Sequence, residues 1–167
     1  EKLATLKGKK LHGKRNHINK FIQEHPDFEY KRLEPSMYDE CIAVYDEWKE
    51  GKGLSETEFS NERRSVVLAI TNMEALGLTG GVIKLDGKIK AFTIGERIRE
   101  DVQLIHIEKA DSEINGLFPM INQQYVLNEC KDVEYINREE DMGIEGMRKA
   151  KRSYYPDYMV KKYFAAK

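Results

Sequence analysis

The stretch VQLIHIEKA, residues 102–110, sets a histidine and a carboxylate two residues apart in a run of apolar, strand-favouring side chains. In a strand alternate residues share a face, so Leu104, His106 and Glu108 are expected on one side and Ile105, Ile107 and Lys109 on the other. A His and a Glu on one face can serve as base and orienter in proton transfer, the step that makes an amine or hydroxyl nucleophilic. The same spacing also suits a half-buried, hydrogen-bonded histidine beside a sheet-end charge. A second concentration of chemistry lies at 135–156, YINREEDMGIEGMRKAKRSYYP. Tyr135 and Asn137 share a strand face, Arg138 follows, and Glu139, Glu140 and Asp141 run together beyond the strand's C-terminal end. Open α/β sheets gather ligands there. Asn137 could hold a developing oxyanion. Glu139, Asp141 and Tyr135 could receive a cationic acceptor, or the acids could form a solvated turn favoured by the positive N-terminus of the next helix.

Downstream, Arg148, Lys151, Arg152 and Tyr155 fall at i, i+3, i+4 and i+7 of a helix, with Ile144, Met147, Ala150 and Tyr154 as its apolar side. A cationic stripe ending in an aromatic suits a phosphate-bearing partner, though many such stripes are only solvated faces. An N-terminal segment adds Lys7, Lys9, Lys10, Lys14, Arg15, His17 and Lys20. Because the net charge is −1, attraction to a polyanion has to come from such local patches. Lys10, Lys14, Arg15, Arg138, Arg148, Lys151 and Arg152 form the candidate phosphate-binding set. The chain carries no GxGxxG, Walker or GxSxG motif. Cys41 and Cys130 lie inside apolar helical patterns and are expected as buried, reduced thiols; no zinc-site spacing is present.

These residues need elements to position them. Residues 7–24 read as a basic amphipathic helix with Leu11, Ile18, Phe21 and Ile22 inward, ended by His25-Pro26. An extended piece, 28–33, precedes a helix capped by Ser36, with Tyr38, Cys41, Ile42, Tyr45 and Trp48 inward and Gly51 and Gly53 as its stop. A third helix is expected over 61–76, capped by Ser60 and closed by Gly77. Asp86-Gly87 between two alternating runs predicts a two-residue type I′ hairpin. Strand 102–110, a helix over 116–130, a strand at 133–137, the basic helix and a last strand at 158–164 complete the order. Helices first, a hairpin, then β-α-β make one α/β (α+β) domain of 167 residues, a mixed sheet with helices on both faces.

Several segments are similar to one bacterial family. KKLHGKRNHINKF (9–21) resembles a basic KxLRxxxNRxxK helix, and DEWKEGKGLSETEF (46–59) a Trp followed by Lys-Gly-hydrophobic-Ser. DGKIKAFTIGE (86–96) resembles a G-x-[IV]-x-AF hairpin strand, and LIHIEKADSEINGLFPMIN (104–122) sits where lipid synthases read IDLMRY. The chain thus resembles the C-terminal half of the family related to the catalytic domain of phosphatidylglycerol lysyltransferase, which looks like two fused GNAT-like modules akin to the Fem aminoacyl-tRNA-dependent peptidyltransferases. The stretch at 135–156 is most similar to short cytosolic members. The family's strand Asp and Arg stand here as His106 and Lys109, and no RxxGxG loop lies between Ala110 and Leu117.

The resemblance implies a GNAT-like acyltransferase fold. It implies an acyl or aminoacyl group passing from acyl-CoA or aminoacyl-tRNA, as co-substrate rather than tightly bound cofactor, to an amine or hydroxyl. In that reading the sheet splays beside strand 102–110, where donor and acceptor meet. The alternatives are a non-catalytic module binding RNA or another phosphate polymer, and a structural half completing a partner GNAT module. With no apolar run near the roughly 18 residues of a membrane span, no signal peptide and no initial Met, the expectation is a cytoplasmic piece of a longer protein with an N-terminal GNAT-like module.

Overall fold

A mixed five-stranded sheet, ordered β1-β2-β3-β4-β5, divides the molecule into two helical layers. The computed structural model describes residues 2–50, 56–161, 163 and 165, and the side chains of 49, 50 and 56–59 are not described. The strands are β1 (Glu29–Arg32), β2 (Leu78–Leu85), β3 (Lys88–Arg99), β4 (Val102–Ala110) and β5 (Tyr135–Asn137). The helices are a short α1 (Lys2–Thr5), α2 (His12–Glu24), α3 (Tyr38–Glu50), α4 (Glu56–Thr71), α5 (Leu117–Glu129) and α6 (Glu145–Arg152). Strands β1 to β4 pair antiparallel in succession; β4 and β5, joined by α5, are parallel.

The hairpin turns as its sequence dictates. Leu85 pairs with Lys88 across Asp86 and Gly87, whose φ values of 50° and 78° are the paired positive angles of a type I′ turn. One face of the sheet packs α2 and α5: Ile18, Phe21, Leu117, Met120 and Ile121 close over Ile83, Ala91 and Ala110. The other packs α3 and α4, with Cys41, Tyr45, Val66 and Ile70 against Val82, Phe92 and Ile94. Each such aliphatic or aromatic chain taken from water contributes about 1.5–3 kcal/mol. Both cysteines are free and buried, and burial pushes each thiol up to about 12.

Several expectations are corrected. The first long helix begins at His12 after a 3-10 turn (Lys9–Leu11), and Ile22 faces solvent. Ser36 lies within a 3-10 turn opened by Pro35 and does not cap α3. Ser60 lies inside α4, which starts earlier and ends at Thr71. A further turn closes when Gly77 N–H donates to Glu74 O and Leu78 N–H to Met73 O, the paired bonds of a Schellman stop. The extended piece becomes strand β1, because β2 offers it an open edge. Of the expected strand at 158–164, the described residues are irregular, with Tyr158, Met159, Val160 and Tyr163 exposed; the three-residue β5 at the sheet's edge is a short template for a further strand. The apolar side of α6 is also exposed at Ile144 and Met147; only Tyr154, just past the helix, enters the core. The proposed helix stop at Gly51 and Gly53 lies outside the described residues.

Candidate active site

Strands β4 and β5 pair over three residues only, Val102 with Tyr135, Gln103 with Ile136 and Leu104 with Asn137. Beyond Asn137 the chain leaves the sheet while β4 runs on to Ala110. The cause is local. The Asn137 side-chain oxygen accepts the Glu139 backbone N–H at 2.9 Å, and Glu139 itself adopts φ 53°. This is the Asx turn that a short amide side chain forms two residues on, and it peels β5 away. The sheet opens between β4 and the segment after β5.

The β4 side of that opening departs from simple alternation. Ile107 pairs with Ile94 and Ile105 with Gly95, so His106 is an extra residue in a β-bulge. Ile105 therefore packs with Tyr125 and Val126 of α5, while Ile107 and Lys109 turn to the α3 layer. Glu108 turns to α5. The expected shared face of His106 and Glu108 does not form, because the bulge resets the strand's parity between them.

Glu108 is the centre of the α5 side. Its carboxylate accepts from Arg138 Nη2 at 2.7 Å and from Asn122 Nδ2 at 2.7 Å. Its side chain and that of Arg138 are 12 % and 19 % exposed, so the pair is largely withdrawn from water. The Arg138 guanidinium lies 4.6 Å from the centroid of the Tyr154 ring, and Lys14 Nζ lies 4.4 Å from the same ring. Burial pushes the Tyr154 phenol up to about 12, against the pull of Arg138. Lys14 is held below its ordinary value by burial first and by Arg138 second. Arg138 Nη1 is buried and has no hydrogen-bond partner among the described residues.

His106 bridges the opening elsewhere. Its Nδ1 meets Glu139 at 2.8 Å and its Nε2 meets Glu96 at 3.1 Å. Two side-chain ties, His106 to Glu139 and Glu108 to Arg138, thus span the gap that the backbone leaves. Asp141 and Arg148 are joined, at 2.6 and 3.2 Å, and the Asp141 oxygen also accepts the Gly143 N–H. That pairing holds the Asp141 carboxyl down at about 2. Lys151 Nζ reaches the backbone carbonyls of Arg138 and Glu140. The acidic turn and the basic helix therefore bind each other, with Arg148 and Lys151 committed to the turn.

Arg15 is likewise engaged, donating to the carbonyls of Leu6 and Gly8. Tyr135 packs edge-on against Tyr158, 5.6 Å between ring centroids. Lys10 lies 5.5 Å from the Tyr155 ring and joins Lys2, Lys7, Lys9 and Arg152 around an open groove of about 780 Å³. One carboxylate, Asp157, lines it, paired with Lys2 at 3.0 Å. The N-terminal segment and the end of α6 meet here.

The N-terminus of α5 is closed off. A Cβ on Gly116 (φ 83°) would lie 2.3 Å from the His17 carbonyl oxygen, so α2 sits directly on the helix start. Only glycine permits that approach. Tyr154 is buried, as its place on the apolar side of the basic segment implies, whereas the sequence gives no sign of the role of Asn122. Asn122 is 1 % exposed on an otherwise apolar helix face, and a buried amide has to find a partner.

Comparison with known proteins follows the same lines. The family model described as phosphatidylglycerol lysyltransferase, C-terminal, matches residues 1–166. A crystal structure of a conserved protein of unknown function from Bacteroides thetaiotaomicron is 46 % identical, with TM-score 0.88, over 95 % of this chain and 54 % of that one. An uncharacterized protein of Mycoplasmoides gallisepticum is 25 % identical over 98 % of this chain and 53 % of its own length. The chain thus spans about half the length of these relatives. The C-terminal domain of a lysylphosphatidylglycerol synthetase, so assigned in Agrobacterium fabrum, superposes with TM-score 0.60 at 18 % identity, over 91 % of this chain and 52 % of that one. A ribosomal-protein-alanine N-acetyltransferase from Brucella melitensis superposes with TM-score 0.56 at 10 % identity, over 83 % of this chain and 98 % of that one. The fold is that of the GNAT acetyltransferases, here in a module with no described helix long and apolar enough to cross a membrane.

Proposed function

The chain belongs to the phosphatidylglycerol lysyltransferase C-terminal family, and from that premise we propose that its GNAT-like acyltransferase module moves an aminoacyl group from the 3′ end of a charged tRNA to an amine or hydroxyl acceptor. The observation that carries this reading is the opened sheet beside a basic groove. The gap between β4 and the segment after β5 holds a carboxylate and a guanidinium with one unpartnered nitrogen. The groove formed by Lys2, Lys7, Lys9, Lys10 and Arg152 is lined by Tyr155, the neighbour in sequence of the Tyr154 that Arg138 meets. Tyr155 in that groove offers a stacking surface, as single-stranded nucleic acid prefers. Acyl-CoA is the less favoured donor. A pyrophosphate would sit at the start of the helix after β4, and there His17 backbone packs on Gly116.

In this reading the acceptor nitrogen attacks the ester carbonyl. The N–C bond forms as the C–O bond to the ribose breaks, and the leaving oxygen regains a proton. Glu108 would take the proton from the acceptor and return it to the ribose oxygen, once donor binding draws Arg138 off one carboxylate oxygen. Asn122 keeps the other oxygen fixed, so the base stays aimed. Arg138 would then stabilise the developing oxyanion. His106 and Glu139 form a second tie that has to give way for an acceptor to enter. Because the relatives are about twice as long, a second module in the full-length protein would supply the rest of the acceptor site. A non-catalytic RNA-binding role has one observation in its favour: both Glu108 oxygens and both His106 nitrogens are occupied.

Fluorescence anisotropy with charged tRNA, uncharged tRNA and acyl-CoA, from roughly 50 to 200 mM salt, tests the reading. The expectation is salt-dependent tRNA binding whose slope falls by about one for each phosphate contact removed in Lys9→Ala, Lys10→Ala and Arg152→Ala. Preference for acyl-CoA, or tRNA affinity unmoved in the triple variant, would sink it. Equal affinity for charged and uncharged tRNA, with no aminoacyl loss in the presence of amine acceptors, would favour the binding-only alternative.

A further inference from the structure

The cations behind the groove are arranged differently from those lining it. Lys14 and Arg138 approach the same Tyr154 ring, at 4.4 and 4.6 Å. Tyr154 is 8 % exposed, so the ring that both cations meet is buried, with Arg138 largely withdrawn from water and Lys14 half-buried beside it. Lys14 Nζ has no hydrogen-bond or ion-pair partner among the described residues, and Arg138 Nη1 has none. Lys151 lies close enough that Arg138 also holds it below its ordinary value, after burial. Among the described residues the one carboxylate bonded to any of these three cations is Glu108, with Glu139 and Asp141 near Lys151. Like charges brought together out of water repel unless an anion joins them. Sites of that kind bind anions.

We infer that Lys14 and Arg138, held over Tyr154 next in the chain to the Tyr155 that lines the basic groove, form a preformed subsite for one phosphate group. In the proposed function, on which this assignment builds, that group is a phosphodiester near the acceptor end of the RNA. The geometry suits it. Arg138 offers Nη1 while Nη2 is still on Glu108, so a phosphate can dock before the buried pair opens, and the Nη2 it then draws away is the donor left for the oxyanion. Lys14 supplies a second, rotatable point charge. The Tyr154 ring lies against both cations and shields that side of each from water, which strengthens a contact to an anion. Asn122 locks Glu108, and through it Arg138, so the guanidinium is fixed before any ligand arrives.

The probe is inorganic pyrophosphate, with 5′-CMP as a nucleotide phosphomonoester, titrated into the intact chain by two-dimensional NMR and calorimetry. The expected result is saturable binding that perturbs the amides around Lys14, Arg138 and Tyr154. Lys14→Met keeps the stem against the ring and removes the charge; it should weaken binding about tenfold, the worth of one charge-assisted contact. Lys149→Ala, on the outer face of α6, should bind as the parent does. Arg138→Lys provides a second test if removal of Arg138 unfolds the chain, since a single point charge cannot hold Glu108 and a phosphate together. Shifts confined to the groove around Lys2 and Lys10, or affinity in Lys14→Met within twofold of the parent, would overturn the subsite. Pyrophosphate binding without tRNA binding leaves the subsite standing and removes the RNA reading. The converse, tRNA binding that pyrophosphate does not compete, removes the subsite alone.

Discussion

Glu108 and Lys109 are neighbours on one strand, point to opposite layers, and are each ion-paired, yet the two surroundings are built on different terms. Lys109 is enclosed. Its Nζ meets Glu62 at 2.8 Å and lies 3.3 Å from the Trp48 centroid and 5.3 Å from that of Tyr45, whose hydroxyl donates to the same Glu62. Trp48 thus packs beside Tyr45 as its helical spacing implied, with a cation as its third neighbour. Glu108 has as many bonds, but its partner Arg138 keeps a buried nitrogen unused and shares a ring with a second unpaired cation. A cluster whose cation is matched by a carboxylate holds helices to a sheet. One with more cations than carboxylates, set against a buried ring, is suited to an anion from outside the chain.

The contrast can be broken first at Glu108. Glu108→Ala strands Arg138 without its counter-charge in a largely buried setting, and urea unfolding should show a loss of about 3–5 kcal/mol. Replacing both Glu108 and Arg138 with Met should restore most of that stability, because two apolar chains leave no charge uncompensated. That double variant should nevertheless fail to bind pyrophosphate. If it bound, stability and ligand recognition would not be separable as argued.

Lys109→Met comes next. The methionine can keep the contact with Trp48, and Glu62, with a side chain 41 % exposed, can turn to water. The cation–π contribution and the ion pair to the half-exposed Glu62 both go, so the expected loss is about 1–2 kcal/mol by the same unfolding measurement. A loss as large as that of Glu108→Ala would mean that the two faces are equally dependent on their charges.

The smallest effect is at the surface pair of Asp141 and Arg148. Its folded value is lowered to about 2 from an ordinary 3.8, so its stabilisation is fully present above about 4 and is lost as pH falls through about 2. An NMR titration of the Asp141 carboxyl should find its midpoint near 2 in the parent and higher in Arg148→Ala, still below the ordinary value because the Gly143 N–H and Arg152 remain. A midpoint that does not move would show the bidentate contact to be absent in solution.

Much of this architecture could be read in advance wherever local chemistry decides it. Asp86-Gly87 could turn a hairpin on its own terms, the residues of β4 were bounded correctly at both ends, and Gly116 marked the start of α5. What could not be read depends on neighbours. The bulge at His106 exists because β3 and β4 fall out of step between Ile94 and Gly95, which no single strand reveals. The acidic and basic halves of 135–156 looked like two ligand surfaces, but three dimensions fold one onto the other, through Arg148 and Lys151. The convergence of His106, Glu108, Arg138 and Glu139 followed from their places near strand ends. Asn122 and Lys14 joined them only through the packing of α5 and α2, and a lysine on a helix rich in lysines gives no sign of which one is carried inside.

The bulge also has an arithmetic meaning. Nine residues of β4 meet eight partners on β3, and His106 is the surplus. Leave it out, and Ile105, Ile107, Glu108 and Lys109 alternate without interruption, each already facing the layer it serves. The strand is thus an even count with one odd residue looped into it. The ladder absorbs the remainder, and the two charge clusters keep their sides. A side chain that is not needed for the count is free to reach across the opened sheet to Glu139.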